Sequence, residues 1–501
     1  MRNFLCVIKS FGINILFIKS FTFPTLAKNL QLMFPANTYI QRRKKLHTQV
    51  NSGLLLVMGN NDVGMNYKAN TYHFRQDSNF LYFFGIDKQG FAGVIDLDEG
   101  TETIFGNDFT IDDVVWMGPQ PSVKELASQV GVEKTAPYSK LEDILKKAKT
   151  AGRKIHYLPP YRHENMFKFN QWLDIPISEL KANASEEFIK AVVAQRSYKS
   201  PEEIIELHTA CTITGAMHFA AMHAAAVGKT EANIVGIVEG IASSAGCTLA
   251  YPVILSKDGQ TLHNHYHGNV FKEGDLILGD FGAATAKHYA GDLTRTYPAG
   301  ETFTERQKDI YNIVLRMQTY SLSALKPGVK YKDVHLLAAE KMTDGLKELG
   351  LMKGDSKEAV AAGAHALFFP HGLGHMMGLD VHDMEDLGED YVGYSDTVKR
   401  NDQFGTAYLR LGRKLEQGFV LTVEPGCYFI PELIDKWKGE KKFTDFINYD
   451  KVETFKDFGG VRIEDDVLIT NKGYSILGKP VPKIVEDVEG IRRGGNSANQ
   501  N

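Results

Sequence analysis

The stretch "FFPHGLGHMMGLDVHD", from Phe368 to Asp383, places three histidines and two aspartates among residues that are otherwise almost all apolar or glycine. Titratable side chains are costly to bury unless they are paired, hydrogen-bonded or bound to a metal. His371, His375 and His382 are therefore either metal ligands with their helpers or core residues whose ring nitrogens are satisfied. The rest of the chain decides between these two interpretations.

The composition is that of a globular protein, with 43% hydrophobic and 24% charged residues in a chain of 501. The formal net charge is -4, and the main basic run, Arg42 to Lys45, is expected on the solvated face of a helix, so the sequence predicts no nucleic-acid partner. Four cysteines are scattered without a C-x-x-C pair, which argues against a disulfide framework or a zinc–thiolate site. The pattern favours a reducing compartment, and we predict a cytoplasmic protein.

Residues 1–32 differ from the rest of the chain. They are apolar, but Lys9 and Lys19 interrupt them, so no run reaches the roughly 18 residues of a membrane span. A signal peptide is an alternative for this segment, although no small-x-small cleavage site follows it. We predict instead that the natural start is Met33 and that the preceding residues are an extension outside the fold.

Three further segments are predicted. Strand-like and helix-like runs alternate over residues 33–178, which indicates an α/β domain. Residues 179–480 interleave helices with short strands, and Pro201, preceded by serine and followed by two glutamates, is predicted to open a long helix where one domain hands over to the next. Residues 481–501 are predicted to form a polar tail.

Four carboxylates complement the histidines. The segment "GDLILGDFGAATAKHYAGDLTRTYP" is predicted to form a hairpin, and a centre at Ala286 would set Asp280 opposite Asp292 with Cβ atoms about 5 Å apart. A bound cation would relieve the repulsion between them, whereas the alternative is an ordinary hairpin with two solvent-exposed aspartates. Glu424 ends the apolar run "VLTV", and Glu464 lies in the predicted strand "GGVRIEDDVLIT". Four carboxylates and one imidazole form a donor set that suits manganese, cobalt or zinc.

The order of motifs "D-x-G…GDLTRT…HGLGH…VEPG…RIEDD" resembles the pita-bread metallopeptidases, within them the aminopeptidase P and prolidase branch. The resemblance extends over nearly the whole chain from Met33, because "YHFRQDSNFLYFFGI" (Tyr72 to Ile86) is similar to the amino-terminal domain of that branch. It implies an α/β amino-terminal domain followed by an α+β pita-bread catalytic domain. It also implies two divalent metal ions per chain, with Mn²⁺ preferred over Co²⁺ or Zn²⁺.

The resemblance assigns the metal ligands residue by residue. It implies that Asp280 binds one metal ion, that Asp292 and Glu464 bridge both, and that His375 and Glu424 bind the other. Glu424 is also implied as the group that transfers the proton of the attacking water. The two hairpin aspartates stand 12 positions apart in this sequence, one more than is usual in the family, and we expect the turn "ATAK" to absorb the extra residue without a bulge in either strand.

Other residues match positions that assist the family's reaction. His371 and His382 match histidines that assist catalysis and hold the substrate, and His263 matches a histidine near the scissile bond, although His265 competes for that role. Each of these histidines could instead be a satisfied wall residue. Arg462 and Tyr428 match supporting residues beside the second bridging glutamate and after the "EPG" turn.

The resemblance implies hydrolysis of Xaa-Pro bonds in peptides with proline in the second position, by an oligomer of two or four chains. We expect an Xaa-Pro aminopeptidase of the aminopeptidase P type. The alternative is prolidase, an Xaa-Pro dipeptidase, because the inserted segments on both sides of Glu424 resemble prolidase and Arg410 resembles the prolidase arginine that grips a dipeptide's carboxylate. A metal-free binding module on the same fold is a remote alternative, which the complete ligand set disfavours.

Overall fold

The computed structural model describes residues 34–494 and divides them into two compact units. The first unit runs to Tyr198 and includes Met384–Val392, and the second contains Lys199–Asp383 and the chain from Gly393 onward. The predicted extension over 1–32 and the predicted start lie outside the described residues. Within the described range, every helix is too short or too polar to span a bilayer.

The first unit is the predicted α/β domain. The strands of this unit are β1 (Leu54–Met58), β2 (Gly64–Tyr67), β3 (Asn70–Thr71), β4 (Ala92–Asp96), β5 (Thr101–Phe105), β6 (Lys134–Ala136) and β7 (Ile155–Tyr157). Its helices are α1 (Ala36–Gln49), α2 (Ser78–Phe84), α3 (Ile111–Met117), α4 (Val123–Gln129), α5 (Lys140–Thr150), α6 (His163–Leu173), a 3-10 turn (Ile177–Glu179) and α7 (Glu186–Arg196).

One mixed sheet organises this unit, in the order β6-β5-β4-β1-β7. Strand β1 pairs antiparallel with β4 and parallel with β7, as expected where helices connect some strands and a hairpin joins others. Apolar side chains from β1, such as Leu54 and Leu56, pack with Phe105, Leu145 and Trp172 from neighbouring elements. The strand-like runs "GLLLVMG", "FAGVIDLD" and "KIHYLP" of the sequence form β1, β4 and β7.

The basic run in α1 differs from its predicted exposure. Lys44 and Lys45 are exposed, but Arg42 and Arg43 are 6% and 0% exposed. Arg43 donates to the carboxylate of Glu102 at 2.6 Å and to backbone carbonyl oxygens, so its charge is paired inside the unit. The prediction of a solvated face was wrong for the two arginines, because the helical period turns them toward the sheet.

The structure also differs from the predicted domain boundary after residue 178. Helix α7 stays with the first unit, where Gln195 bonds to Gln49 at 2.8 Å and Arg196 donates to Asn79 at 2.7 Å. The first continuous stretch of this unit therefore ends at Tyr198. This position is close to the hand-over that the helix start at Pro201 indicated.

The second unit is α+β, in agreement with the predicted class. Its strands are β8 (Thr248–Leu249), β9 (Ile254–Ser256), β10 (Leu276–Phe281), β11 (Ala283–Ala284), β12 (Leu293–Pro298), β13 (Val420–Val423), β14 (Gly426–Tyr428), β15 (Gly460–Arg462), β16 (Asp465–Ile469) and β17 (Tyr474–Ile476). Its helices are α8 (Pro201–Ala224), α9 (Glu231–Ser244), α10 (Glu305–Ala324), α11 (Tyr331–Glu348), α12 (Ser356–Ala362), α14 (Pro431–Gly439), α15 (Tyr449–Glu453) and α16 (Val485–Arg492), with 3-10 turns at Ala364–Leu367 and Thr406–Tyr408. The segment Met384–Val392, which belongs to the first unit, carries a 3-10 turn (Glu385–Leu387) and the short helix α13 (Glu389–Val392).

A helix lies at each end of the described part of this unit, α8 at its start and α16 near its end. Helix α8 begins as predicted, with Pro201 in its first turn and a capping box between Ser200 and Glu203. The predicted polar tail after residue 480 is wrong up to residue 494, because α16 buries Val485, Val488 and Ile491 on one face. These three residues are spaced three apart, which is a helical period. The charged residues between them make the segment look like a polar tail in the sequence.

Strands of the second unit form small antiparallel sheets. β12, β10 and β9 form one sheet, β13, β16 and β17 another, and β14 pairs with β15. An isolated bridge joins Thr294 to Glu464, so the first sheet meets the segment between β15 and β16. This junction brings the predicted ligands together.

Candidate metal centre

Asp280 and Asp292 do not face each other across the hairpin. The register pairs Asp280 with Thr294, so the centre is Lys287 rather than Ala286, and the predicted direct pairing is wrong. The cause is the turn, which closes through a hydrogen bond from Thr285 N to the carbonyl oxygen of Tyr289 at 3.0 Å.

This turn absorbs the longer spacing in the way that the sequence predicts. The register is unbroken from Leu276 and Pro298 to the bridge between Ala284 and Ala290. His288, within the turn, adopts a left-handed conformation with φ of 67°. No bulge therefore rotates either carboxylate away from the centre.

The hydroxyl of Tyr251 joins the two aspartates instead. It lies 2.6 Å from Oδ1 of Asp280 and within hydrogen-bond distance of Oδ1 of Asp292. Sequence reasoning missed this tyrosine, because 29 and 41 residues separate it from its partners and "AYPV" is not a recognisable ligand motif. Long-range pairing of this kind leaves no periodic signal.

His375 and Glu424 come from adjacent backbone segments. Thr422 N donates to the carbonyl oxygen of His375 at 3.0 Å, and Glu424 N donates to that of Leu373 at 2.9 Å. Gly374 is needed between them, since a Cβ there would overlap the backbone of Thr422. The "HGLGH" segment therefore lies directly beside β13 and sets the imidazole next to the carboxylate.

The tautomer of His375 suits a metal ligand. Its Nδ1 lies 3.1 Å from the carbonyl oxygen of Met376, and a carbonyl only accepts, so Nδ1 carries the proton. Nε2 is then a lone-pair donor, and it lies 3.5 Å from Asp292 Oδ2 and 3.6 Å from Glu424 Oε1. Orientation of a ligating histidine by a backbone carbonyl is common at metal sites.

Glu464 lies between β15 and β16, not inside a strand as predicted. Oε2 of Glu464 accepts a hydrogen bond from Thr294 Oγ1 at 2.6 Å. Arg462, two residues earlier, donates to the carboxylate of Asp280 and to the hydroxyl of Tyr428, the latter at 2.8 Å. One buried guanidinium thus neutralises part of the negative charge of four carboxylates.

The charge of the site fits a cation. Ligand atoms of Asp292, His375 and Glu464 lie within 4.8 Å of one another, and these residues are 5%, 4% and 1% exposed. Burial, followed by the neighbouring carboxylates, raises the pKa of Glu464 well above its usual value and that of Glu424 to about 8. Burial also raises the pKa of Asp292. Divalent cations would favour the charged forms of these groups, so the donor set fits a metal centre.

The remaining predicted residues surround the centre. The five predicted ligands line a cleft of about 240 Å³, together with most of the predicted helpers. The helpers that line it are His263, His265, His371, His382, Arg410 and Arg462. Tyr428 is fully buried and does not line the cleft. It is connected to the cleft through the hydrogen bond between its hydroxyl group and His371.

His371 is held in one orientation. Nδ1 lies 2.7 Å from the carbonyl oxygen of Gly372 and therefore donates, and Nε2 lies 2.9 Å from the hydroxyl of Tyr428. Burial, followed by proximity to Arg462, lowers the pKa of His371 to about 3, so the ring is neutral and Nε2 accepts from Tyr428. The order Arg462, Tyr428, His371 is a continuous hydrogen-bond chain.

The two candidate histidines on the 263–265 segment differ in surroundings. Both line the cleft, but the ring of His263 interacts electrostatically with Arg462 and Asp280. Enclosure by the cleft, followed by Arg462, lowers the pKa of His263. These neighbours favour His263 over His265 as the group nearer the centre.

Comparisons with known proteins agree with this architecture. Residues 206–471 match the model of metallopeptidase family M24, and residues 39–156 match that of the aminopeptidase P N-terminal domain. The chain is 31% identical to human Xaa-Pro dipeptidase over 470 residues, which cover 91% of this chain and 92% of that protein. It is also 31% identical to a probable Xaa-Pro aminopeptidase of Aspergillus niger, over 90% of this chain and 91% of that protein. A variant of Escherichia coli aminopeptidase P, solved in complex with substrate, superposes with a TM-score of 0.75 at 28% identity, covering 92% of this chain and 99% of that one. The chain therefore belongs to metallopeptidase family M24, with an aminopeptidase P-type N-terminal domain before a pita-bread catalytic domain.

Proposed function

We propose that this chain is a manganese-dependent peptidase that hydrolyses the bond between an N-terminal residue and a following proline, and that its substrates are Xaa-Pro dipeptides. The observation that carries the dipeptide assignment is the position of Arg410. Its side chain lines the same small cleft as the metal ligands and acts electrostatically on Glu424, His371 and His263. A guanidinium there can bind the free carboxylate of a substrate one residue beyond the scissile bond.

The size of the cleft supports the same substrate. A volume of about 240 Å³ is smaller than the roughly 300–1,000 Å³ of pockets for drug-sized ligands. Apolar side chains of Ile254, Leu262 and Val381 line it and suit a proline ring. Proline forms a tertiary amide without an N–H, so an apolar wall leaves no donor unsatisfied.

The ligand assignment is part of the proposal. Asp280 would hold one ion, Asp292 and Glu464 would bridge the pair, and His375 and Glu424 would hold the other. When bound, a pair of divalent ions polarises the scissile carbonyl and supplies an activated water as the nucleophile. The mixed oxygen and nitrogen donors suit Mn²⁺, and Co²⁺ or Zn²⁺ can occupy the same set.

The chain's own groups move the proton and orient the substrate. Glu424, ionised when it holds a metal ion, takes the proton from the attacking water and delivers it to the proline nitrogen as the C–N bond breaks. His263 and His382 line the cleft and donate hydrogen bonds to the substrate carbonyl oxygen. Arg462 and Tyr428 act indirectly, since they fix Asp280 and His371.

Xaa-Pro aminopeptidase activity on longer peptides is the second candidate. The fold similarity to Escherichia coli aminopeptidase P favours it, as does the similarity to the Aspergillus protein. The sequence alone favoured this activity. The proposal departs from that preference because a cationic side chain within a small cleft suits the terminal carboxylate of a dipeptide.

Cytoplasmic localisation and assembly into dimers or tetramers are also proposals. The cysteines in the described part of the chain, Cys211, Cys247 and Cys427, are all unbridged, which supports a reducing compartment. Fractionation of cells with an antibody to the chain tests the compartment, and light scattering after gel filtration tests the assembly.

The experiment that tests the substrate assignment compares an Xaa-Pro dipeptide with the matching tripeptide and tetrapeptide. The parent should cleave the dipeptide best, and Arg410→Ala should lower kcat/KM for the dipeptide by about 10- to 100-fold, as expected for loss of a charge-assisted hydrogen bond. Arg400→Ala, which replaces an exposed arginine ten residues earlier in the chain, is the matched control and should change little. A parent that prefers longer peptides, with no selective loss in Arg410→Ala, would establish the aminopeptidase alternative.

A further inference from the structure

A fully buried ion pair lies next to the cleft and has no role in the proposed chemistry. Lys199 Nζ donates to Oδ2 of Asp383 at 3.0 Å, and each side chain is only 1% exposed. Lys199 directly precedes the capping box of α8, and Asp383 ends the sequence segment that contains His371 and His375. The two residues are 184 positions apart and belong to the same compact unit.

Stability alone does not account for such a pair. The cost of removing two charges from water often equals or exceeds their attraction, and apolar residues of similar volume stabilise a core at least as well. Buried ion pairs are better attested as devices that fix one arrangement of a segment.

Asp383 organises the loop from Met376 to its own position. Its backbone N–H donates to the carbonyl oxygen of Met376 at 2.9 Å, and the N–H of Gly378 donates to that of Asp380 at 3.1 Å. Oδ1 of Asp383 accepts from Asp380 N at 3.4 Å. The carboxylate lies directly against Gly378, where any Cβ would collide with it. The loop closes around this carboxylate.

His382 is the residue before Asp383 and lines the cleft. Its ring centroid lies 4.3 Å from that of the ligand candidate His375, at an interplanar angle of 67°. Because the two residues are adjacent, a displacement of the Asp383 carboxylate moves the backbone that carries the His382 ring. A misplacement of about 1 Å in a group that binds the reacting carbonyl can lower a rate by about 100-fold.

We propose that Lys199 is a positioning residue that holds His382 over the metal centre through its ion pair with Asp383. Lys199 itself does not touch the substrate. The inference rests on the proposed function, in which His382 donates to the substrate carbonyl, and it adds a residue from the start of the catalytic unit to the machinery of that site.

A double-mutant cycle with His382→Ala tests the proposal. Lys199→Met should lower kcat/KM for an Xaa-Pro dipeptide by about 10-fold or more, while two metal ions per chain remain bound by elemental analysis. In the His382→Ala background the same change should cost less than about 2-fold, because the group that Lys199 positions is already absent. Equal losses in both backgrounds would overturn the proposal, since a merely structural residue acts additively. Lys168→Met, a partly buried lysine of the first unit that donates to Tyr138, is the control and should be additive.

Two further variants cover the case in which Lys199→Met leaves an unpaired buried charge and fails to fold. The double variant Lys199→Met with Asp383→Asn removes both charges, and Gly378→Ala displaces the carboxylate without changing any charge. Both should show the same non-additivity with His382→Ala. Additive behaviour in both would reject the positioning role.

The position of the ring separates this inference from the proposed function. A crystal structure of Gly378→Ala should show His382 moved from its 4.3 Å separation from His375. If the parent cleaves no Xaa-Pro peptide, the proposed function fails, and this separation alone decides the positioning role. An unmoved His382 ring would overturn the inference whatever the activity.

Discussion

The hydroxyl of Tyr251 lies 2.6 Å from Oδ1 of Asp280, and the same oxygen reaches Asp292. One phenol thus contacts two carboxylates that the hairpin register does not place opposite each other. Burial, followed by the charge of these aspartates, raises the pKa of Tyr251 well above its usual value, so the phenol keeps its proton and remains a donor.

Replacing this phenol should destabilise the metal-free protein. Tyr251→Phe removes the donor that screens the two aspartates, and a hydrogen bond to a charged group contributes about 1.5–3 kcal/mol. Urea unfolding of the chelated protein measures the loss. Tyr266→Phe, which is 65% exposed, is the matched control. Equal stability of Tyr251→Phe and the parent would show that the phenol does not hold the aspartates.

Loss of either proposed bridging ligand should empty the centre. Asp292→Ala and Glu464→Ala each remove a group that would contact both ions, so each variant should bind less than one metal ion per chain and lose hydrolysis. Elemental analysis after dialysis measures the content. Asp435→Ala, whose side chain is 62% exposed, should retain the full content. Two tightly bound ions in either variant would refute the bridging assignment.

A pair of buried histidines away from the cleft should limit stability in acid. His335 and His365 are both fully buried, with ring centroids 6.2 Å apart. Burial lowers the pKa of His365 to about 4 and that of His335 well below its usual value. A histidine with a lowered folded pKa contributes stability above its unfolded pKa of about 6.5, and this contribution is lost as the pH falls toward 4.

For His365 the loss at pH 4 and below should be about 3 kcal/mol. His365→Leu should therefore flatten the decline of unfolding free energy between pH 6.5 and pH 4 in the metal-free protein, whereas the exposed His208→Leu should not. Parallel declines in the parent and His365→Leu would contradict this origin of acid sensitivity.

Much of the site follows from local pattern, and the remainder depends on distant pairing. Glu424 after an apolar strand and the glycines of "HGLGH" mark positions where backbone geometry is constrained, whereas the pairing of His375 with Glu424 at one metal ion was implied by the resemblance to the pita-bread metallopeptidases. The partner of Asp280 was misjudged because hairpin register depends on turn length, and one extra turn residue leaves no mark in the flanking apolar pattern.

Other differences have the same physical origin. Arg43 looks like a surface charge in the sequence, yet Glu102 and three carbonyl groups satisfy it inside the first unit. The helix Val485–Arg492 buries Val485, Val488 and Ile491 on one face, and the charged residues between them obscure this pattern in the sequence. In both cases the burial of the residues depends on contacts with parts of the chain that are distant in sequence.

Removal and return of the metal ions shows whether this chain is a metal-dependent Xaa-Pro peptidase. Purified protein is stripped with a chelator, its metal content is confirmed as zero, and hydrolysis of an Xaa-Pro dipeptide is followed during titration with Mn²⁺. We expect no hydrolysis by the stripped protein and full recovery as the second equivalent of Mn²⁺ per chain binds. Full hydrolysis by metal-free protein, or none at any Mn²⁺, Co²⁺ or Zn²⁺ content, would show that the chain is not a metal-dependent Xaa-Pro peptidase.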